Sequence, residues 1–143
     1  NYPEQIQVTR NPMNTKRYLL AVIATFVALF IIDFITHGIL LMGLYEKTAQ
    51  LWRPQDDYRM PYMFISQLTF TAVFVCLFTR NYEAKGIGEG LRFGFYIGLL
   101  FATMNIGMYS YMPIPFSLVA SWIVASIVKG LIMGTVTSLV YKK

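Results

Sequence analysis

The run Tyr18-Leu-Leu-Ala-Val-Ile-Ala-Thr-Phe-Val-Ala-Leu-Phe-Ile-Ile-Asp33-Phe-Ile-Thr-His37-Gly38-Ile-Leu-Leu-Met-Gly-Leu-Tyr45 decides the fold. A hydrocarbon layer of about 30 Å takes about 20 apolar residues in helical form. These 28 residues exceed that length, so the segment is predicted to cross a bilayer and either to tilt or to break near Gly38. Asp33 and His37 stand four apart and therefore share one face of a helix. Near the middle of a membrane an ionisable side chain is costly and needs a partner. The obvious partner is Lys129, at the centre of the last apolar run.

The rest of the composition agrees with a membrane protein. At 143 residues, 56% hydrophobic and 13% charged, with mean hydropathy +0.51, the chain is one domain by length and far more apolar than soluble domains. Its net charge of +5 is no nucleic-acid footprint, because the basic residues flank the apolar runs and form no stripe of their own. Membrane lipids, with anionic headgroups foremost, are the expected partners. The single cysteine, Cys76, reads as packing and excludes an intrachain disulfide. No metal site is predicted: one histidine and one cysteine cannot complete a tetrahedral set.

Residues 1–16 form a polar tail without the apolar stretch of a signal peptide, and Met13-Asn-Thr-Lys-Arg17 looks like a natural start. The transmembrane domain is placed at 17–143, with spans at about 18–45, 61–79, 90–110 and 116–141. Between the first two spans, Trp52, Arg53, Pro54, Asp56, Asp57, Tyr58 and Arg59 suit a headgroup region. Lys85-Gly-Ile-Gly-Glu-Gly90 resembles a phosphate-cradling loop only superficially, since no strand precedes it and no Lys-Ser/Thr ending follows. It reads as a flexible turn with Glu89 near the positive end of the next helix.

Span three carries Gly90, Gly94, Gly98 and Ala102 at four-residue intervals, and span four carries Ser126, Gly130, Gly134 and Ser138. Small residues at that spacing let helix backbones approach closely in lipid. The short link Tyr111-Met-Pro-Ile-Pro115 makes these two spans a hairpin, so the ridges are expected to face each other. Basic residues at the span ends number eight on the side of both termini and three in the first loop. The prediction is an all-α, antiparallel up-down four-helix bundle with both termini cytoplasmic.

In that topology Asp33 and Lys129 lie at the same depth, roughly 18–20 Å from the far ends of their spans at about 1.5 Å per residue. Paired, they cancel two charges that would each be expensive alone. Gln67 and Asn105 are candidates to add hydrogen bonds to Asp33, His37 and Lys129, or to serve as ordinary contacts between helices. The cluster reads as an ion pair that sets helix register. The functional alternative is a proton relay or cation site, with histidine titrating near neutral pH, and a third arrangement turns Asp33 or Lys129 toward another protein.

The run Arg80-Asn-Tyr-Glu-Ala-Lys-Gly-Ile-Gly-Glu-Gly-Leu-Arg-Phe-Gly94, followed by Tyr111-Met-Pro-Ile-Pro-Phe116 and taken with Asp33-Phe, His37-Gly38 and Trp52-Arg-Pro54, resembles a group of small, uncharacterised bacterial four-span integral membrane proteins. The likeness covers most of residues 17–143. It implies the fold and a bacterial inner membrane, and carries no assigned activity.

Two functions compete. The first is a non-catalytic accessory subunit of a larger bacterial membrane complex, with respiratory or photosynthetic complexes as one candidate host and other transmembrane subunits as partners. No cofactor is predicted, although 16% aromatic residues would suit bound lipid or pigment. The second is a small homo-oligomeric transporter or proton-coupled channel using Asp33, His37 and Lys129. A lipid-directed enzyme would have only Glu83, Glu89 and Arg92 near the headgroups, and these read more simply as solvated loop charges.

Overall fold

The computed structural model describes residues 13–142, which are helical with no strand among them. Residues 1–12 of the polar tail placed at 1–16, and Lys143, lie outside the described residues, while Thr15 and Lys16, the last two of that tail, already belong to the first helix. Helix α1, Thr15–Asp33, begins where the Asn14 side chain accepts a hydrogen bond from the Arg17 amide at 3.1 Å, which satisfies one of the free donors of the first turn. At Asp33 the winding changes to a π-helix, Phe34–Leu40, and the Leu41 amide closes on the Thr36 carbonyl at 2.9 Å. A wider turn uses more chain per unit of depth and so absorbs the excess length of this apolar run. The expected break near Gly38 is thus a change of winding that starts at Asp33. The short helix α2, Met42–Glu46, follows, and then two 3₁₀ turns at Ala49–Leu51 and Gln55–Asp57.

Helix α3, Met60–Arg80, has proline in its first turn, where a missing N–H costs nothing. Helices α4, Ile87–Tyr109, and α5, Phe116–Val140, complete the chain. Four segments are long and apolar enough to cross a membrane: Thr15–Leu40, Met60–Arg80, Ile87–Tyr109 and Phe116–Val140. Helix α4 starts earlier than the predicted 90, because Gly86, at φ +69°, turns the chain directly into it.

The two ridges of small residues do meet. Gly90 lies against Gly134 and Ser138, Gly94 against Gly130, and Gly98 against Ser126, with residue numbers falling on α5 as they rise on α4. A Cβ added at Gly98 would stand 2.7 Å from the Ser126 carbonyl oxygen, and one at Gly94 closer still to that of Gly130. Ala102 and Ser138 are buried at the ends of the same seam.

Helix α1 packs against both α3 and α5. Ala21, Leu29, Phe74, Val75, Phe78 and Met133 form the core there, with a buried hydrogen bond of 2.8 Å between the Thr25 and Thr137 hydroxyls. Helices α3 and α4 are joined differently. Their backbones stay largely more than 8 Å apart, and edge-to-face rings bridge them: Phe70 on Phe101 and Phe74 on Phe93, both at 4.9 Å, and Phe78 on Phe93 at 5.6 Å.

Candidate functional site

Asp33 is the residue at which α1 gives way to the π-helix, so its carboxylate sits where the regular i to i−4 ladder is interrupted. One-off π-helical stretches inside membrane or soluble helices are frequent at functional sites. Lys129, from the middle of α5, makes an ion pair with Asp33 Oδ1. Gln67, from α3, donates its Nε2–H to Asp33 Oδ2 at 2.6 Å. Three helices therefore converge on one carboxylate. The Asp33 and Lys129 side chains are about one-fifth exposed, at 19% and 22%, and in lipid such a pair holds only because each charge meets the other.

His37 Nε2 stands 3.9 Å from Asp33 Oδ1, one turn toward the Tyr45 end. Its Nδ1 lies 2.7 Å from the Tyr45 hydroxyl, and the Trp122 indole Nε1 lies 2.8 Å from that same oxygen. An indole N–H only donates. The Tyr45 oxygen therefore accepts from Trp122 and shares a second hydrogen bond with His37 Nδ1, while His37 Nε2 stands on the side of Asp33. The result is a row of polar contacts from Trp122 through Tyr45 and His37 toward Asp33. Trp52 packs edge-on against Tyr45 at 5.5 Å and Trp122 at 6.1 Å, and its indole donates to the Thr48 hydroxyl at 2.8 Å.

Of the residues marked from the sequence, Asp33, His37, Lys129 and Gln67 come together. Asn105 does not join them. Its Nδ2 donates to the Ser126 hydroxyl at 3.0 Å, a contact inside the α4–α5 hairpin, because Asn105 lies beyond Gly98 and Phe101 along the seam. Tyr45 and Trp122 were missed. A signal existed: Trp122 precedes Lys129 by seven residues, two helical turns on the same face.

At the other end of α4 the acidic residues divide. Glu83 is exposed and pairs with Lys85 at 2.6 Å and Arg92 at 3.0 Å. The hydrogen bond from Lys85, and then that from Arg92, holds the Glu83 carboxyl below its ordinary value of 4.5. Glu89 corrects the reading of solvated loop charges, because it is 5% exposed. Its two oxygens accept the backbone amides of Glu83 at 2.7 Å and Lys85 at 3.0 Å. The glycine-containing turn is thus organised by Glu89, with Ala84 and Gly86 both at positive φ.

Beside the ion pair lies a cavity of about 310 Å³ lined from all four spanning helices, by Leu29, Gln67, Phe70, Phe101, Lys129 and others. Comparison with protein-family models, with curated proteins and with solved structures finds no match to this chain.

Proposed function

We propose that this multi-pass membrane chain is a non-catalytic subunit of a larger membrane protein complex, an antiparallel up-down bundle with both termini on the cytoplasmic side of a bacterial inner membrane. Energy-transducing complexes are the candidate hosts. The observation that carries the reading is the closure of the charged cluster within one chain. Both Asp33 oxygens are engaged, by Lys129 and by Gln67, from two other helices. A cluster so arranged acts first on helix register.

What the chain turns outward is apolar. Leu19, Ile23, Val27, Ile31 and Phe34 form an exposed stripe along the first span, at the spacing by which one helix lies against another or against lipid tails. Purification from native membranes in mild detergent, with native size and a mass-spectrometric inventory, tests the reading. Fixed-ratio co-purification with other membrane subunits is the expected result, and a homogeneous homo-oligomer would contradict it.

A second reading has its own observation. Tyr45, His37 and Asp33 stand in a row of groups able to exchange a proton, with Trp122 holding the Tyr45 oxygen, as a homo-oligomeric proton-coupled transporter or channel would need. Replacing Lys129 by Met separates the two. A subunit loses stability or incorporation, whereas a transporter stays assembled and loses flux.

A further inference from the structure

We infer that the exposed cations at the start of α1 and the end of α3, Lys16, Arg17 and Arg80, form a seat for the headgroup of an anionic glycerophospholipid. Such a seat needs only that the chain lies in a bilayer and is independent of a subunit role. The charges of the described residues are shared unevenly between the two ends of the bundle. One end carries Lys16, Arg17, Arg80, Lys85, Arg92 and Lys142 against Glu83 and Glu89, and the other carries Lys47, Arg53 and Arg59 against Glu46, Asp56 and Asp57. The second set cancels, and the first does not. Between them Asp33 and Lys129 cancel as well.

Contacts between elements gather the excess at one place. The Thr79 hydroxyl donates to Met13 Sδ at 3.4 Å, so the start of α1 lies beside the end of α3. Arg80 follows Thr79 directly, and Lys16 and Arg17 follow Met13 by about one helical turn. Tyr82 packs edge-on against Tyr141 at 5.2 Å, which brings Lys142 to the same end. Gly90 lies against Ser138, which adds the start of α4. Tyr18, Tyr82 and Tyr141 give this end the aromatic character of a headgroup level.

The cations gathered there are not equivalent. Lys85 and Arg92 both hold Glu83, at 2.6 Å and 3.0 Å, and are already answered on the α4 side. Lys16, Arg17 and Arg80 are exposed and have no acidic partner among the described residues. Long basic side chains at the end of a span lay their stems along apolar surface and lift the charge to the interface. An arginine there presents a fork to phosphate oxygens and a lysine a point charge. A zwitterionic headgroup brings its own cation, which opposes them, whereas a phosphate without an amine does not. The source is a lipid rather than a free phosphate because Leu19, Leu20 and Ile23, the next residues of α1 toward the membrane interior, are exposed and offer a surface to acyl chains.

The test is native mass spectrometry of the full chain in mild detergent, titrated with dioleoyl phosphatidylglycerol and, separately, with dioleoyl phosphatidylcholine. At about fivefold per engaged cation, phosphatidylglycerol is expected to bind more tightly by about tenfold or more. Two double variants then remove the same charge from different places. Lys16→Gln with Arg80→Gln is expected to weaken phosphatidylglycerol binding by about tenfold or more, while Lys85→Gln with Arg92→Gln leaves it within about twofold of the parent chain. Lys16→Arg with Arg80→Lys, which keeps both charges, should retain binding, and helical circular dichroism should be the same for all. Equal losses in the two Gln variants would overturn the inference, because binding would then follow net charge alone. Equal affinity for the two lipids would overturn it too, as would displacement of the bound lipid by millimolar glycerol 3-phosphate, which would assign the cations to a small soluble anion.

Discussion

Lys129, in the middle of α5, pairs with Asp33 at the last α-helical residue before the first span changes its winding. The charge that α1 carries into the membrane is thereby met at the point where its own backbone ladder is least regular. Gln67 completes the arrangement from α3, so that α1, α3 and α5 meet at one charged cluster in a largely apolar interior.

The α4–α5 seam should tolerate no added methyl group. A Cβ at Gly94 would fall inside van der Waals distance of the Gly130 carbonyl group, and the backbones would have to separate. Gly94→Ala is expected to cost about 2–3 kcal/mol in detergent unfolding. Gly107→Ala, on the same helix but with nothing nearer than 4.0 Å, should leave stability unchanged or raise it by up to about 1 kcal/mol. Equal losses at the two sites would contradict the seam.

Glu89 should behave as an internal cap. Glu89→Gln keeps the shape but replaces one accepting oxygen by a donor, so either the Glu83 or the Lys85 amide loses its partner. A cost of about 1–3 kcal/mol is expected, with faster hydrogen exchange at those two amides. Unchanged exchange would refute the assignment.

Glu83 provides the pH-dependent contact. Its carboxyl is held below 4.5 by Lys85 and Arg92, so the stabilisation is present at neutral pH and is lost as pH falls through the depressed folded-state value. For so exposed a pair the effect on stability is small. The readout is therefore the titration itself. Lys85→Met should move the Glu83 midpoint upward in a carboxyl NMR titration, and an unmoved midpoint would remove Lys85 from the account.

Tyr45 should be the hinge of the aromatic chain. Tyr45→Phe takes away the acceptor of the Trp122 indole and the hydrogen-bond partner of His37 at once, for an expected loss of about 1–3 kcal/mol. Adding Trp122→Phe should cost less than its own single effect. Strict additivity would mean that the two residues act independently.

Much of this was legible in the residues themselves. Four apolar runs with charged ends announce spanning helices because lipid forces backbone groups to bond within a segment. The Gly90/Gly94/Gly98 and Gly130/Gly134 spacings announce their mutual contact, and the equal depths of Asp33 and Lys129 announce their pairing. The π-helix was not legible. It depends on where a long run fits its neighbours, and only the excess length of residues 18–45 hinted at it. Glu89 was misread because a charged residue beside glycines looks solvated, while its role comes from backbone amides that have no sequence signature. Asn105 stayed open between the polar cluster and an ordinary contact between helices because polar residues in spans have several partners in reach, and it bonds Ser126.

The central claim, that Asp33 and Lys129 act as one neutral unit inside a single chain, is tested most directly by a double-mutant cycle. Unfolding free energies of Asp33→Asn, Lys129→Met and the combined variant would be compared in one detergent. Each single change should cost about 3–5 kcal/mol by leaving a buried charge unmatched, while the double variant should lose far less than the sum of the two. Losses that simply add would show that the two side chains do not stabilise each other and would contradict the account.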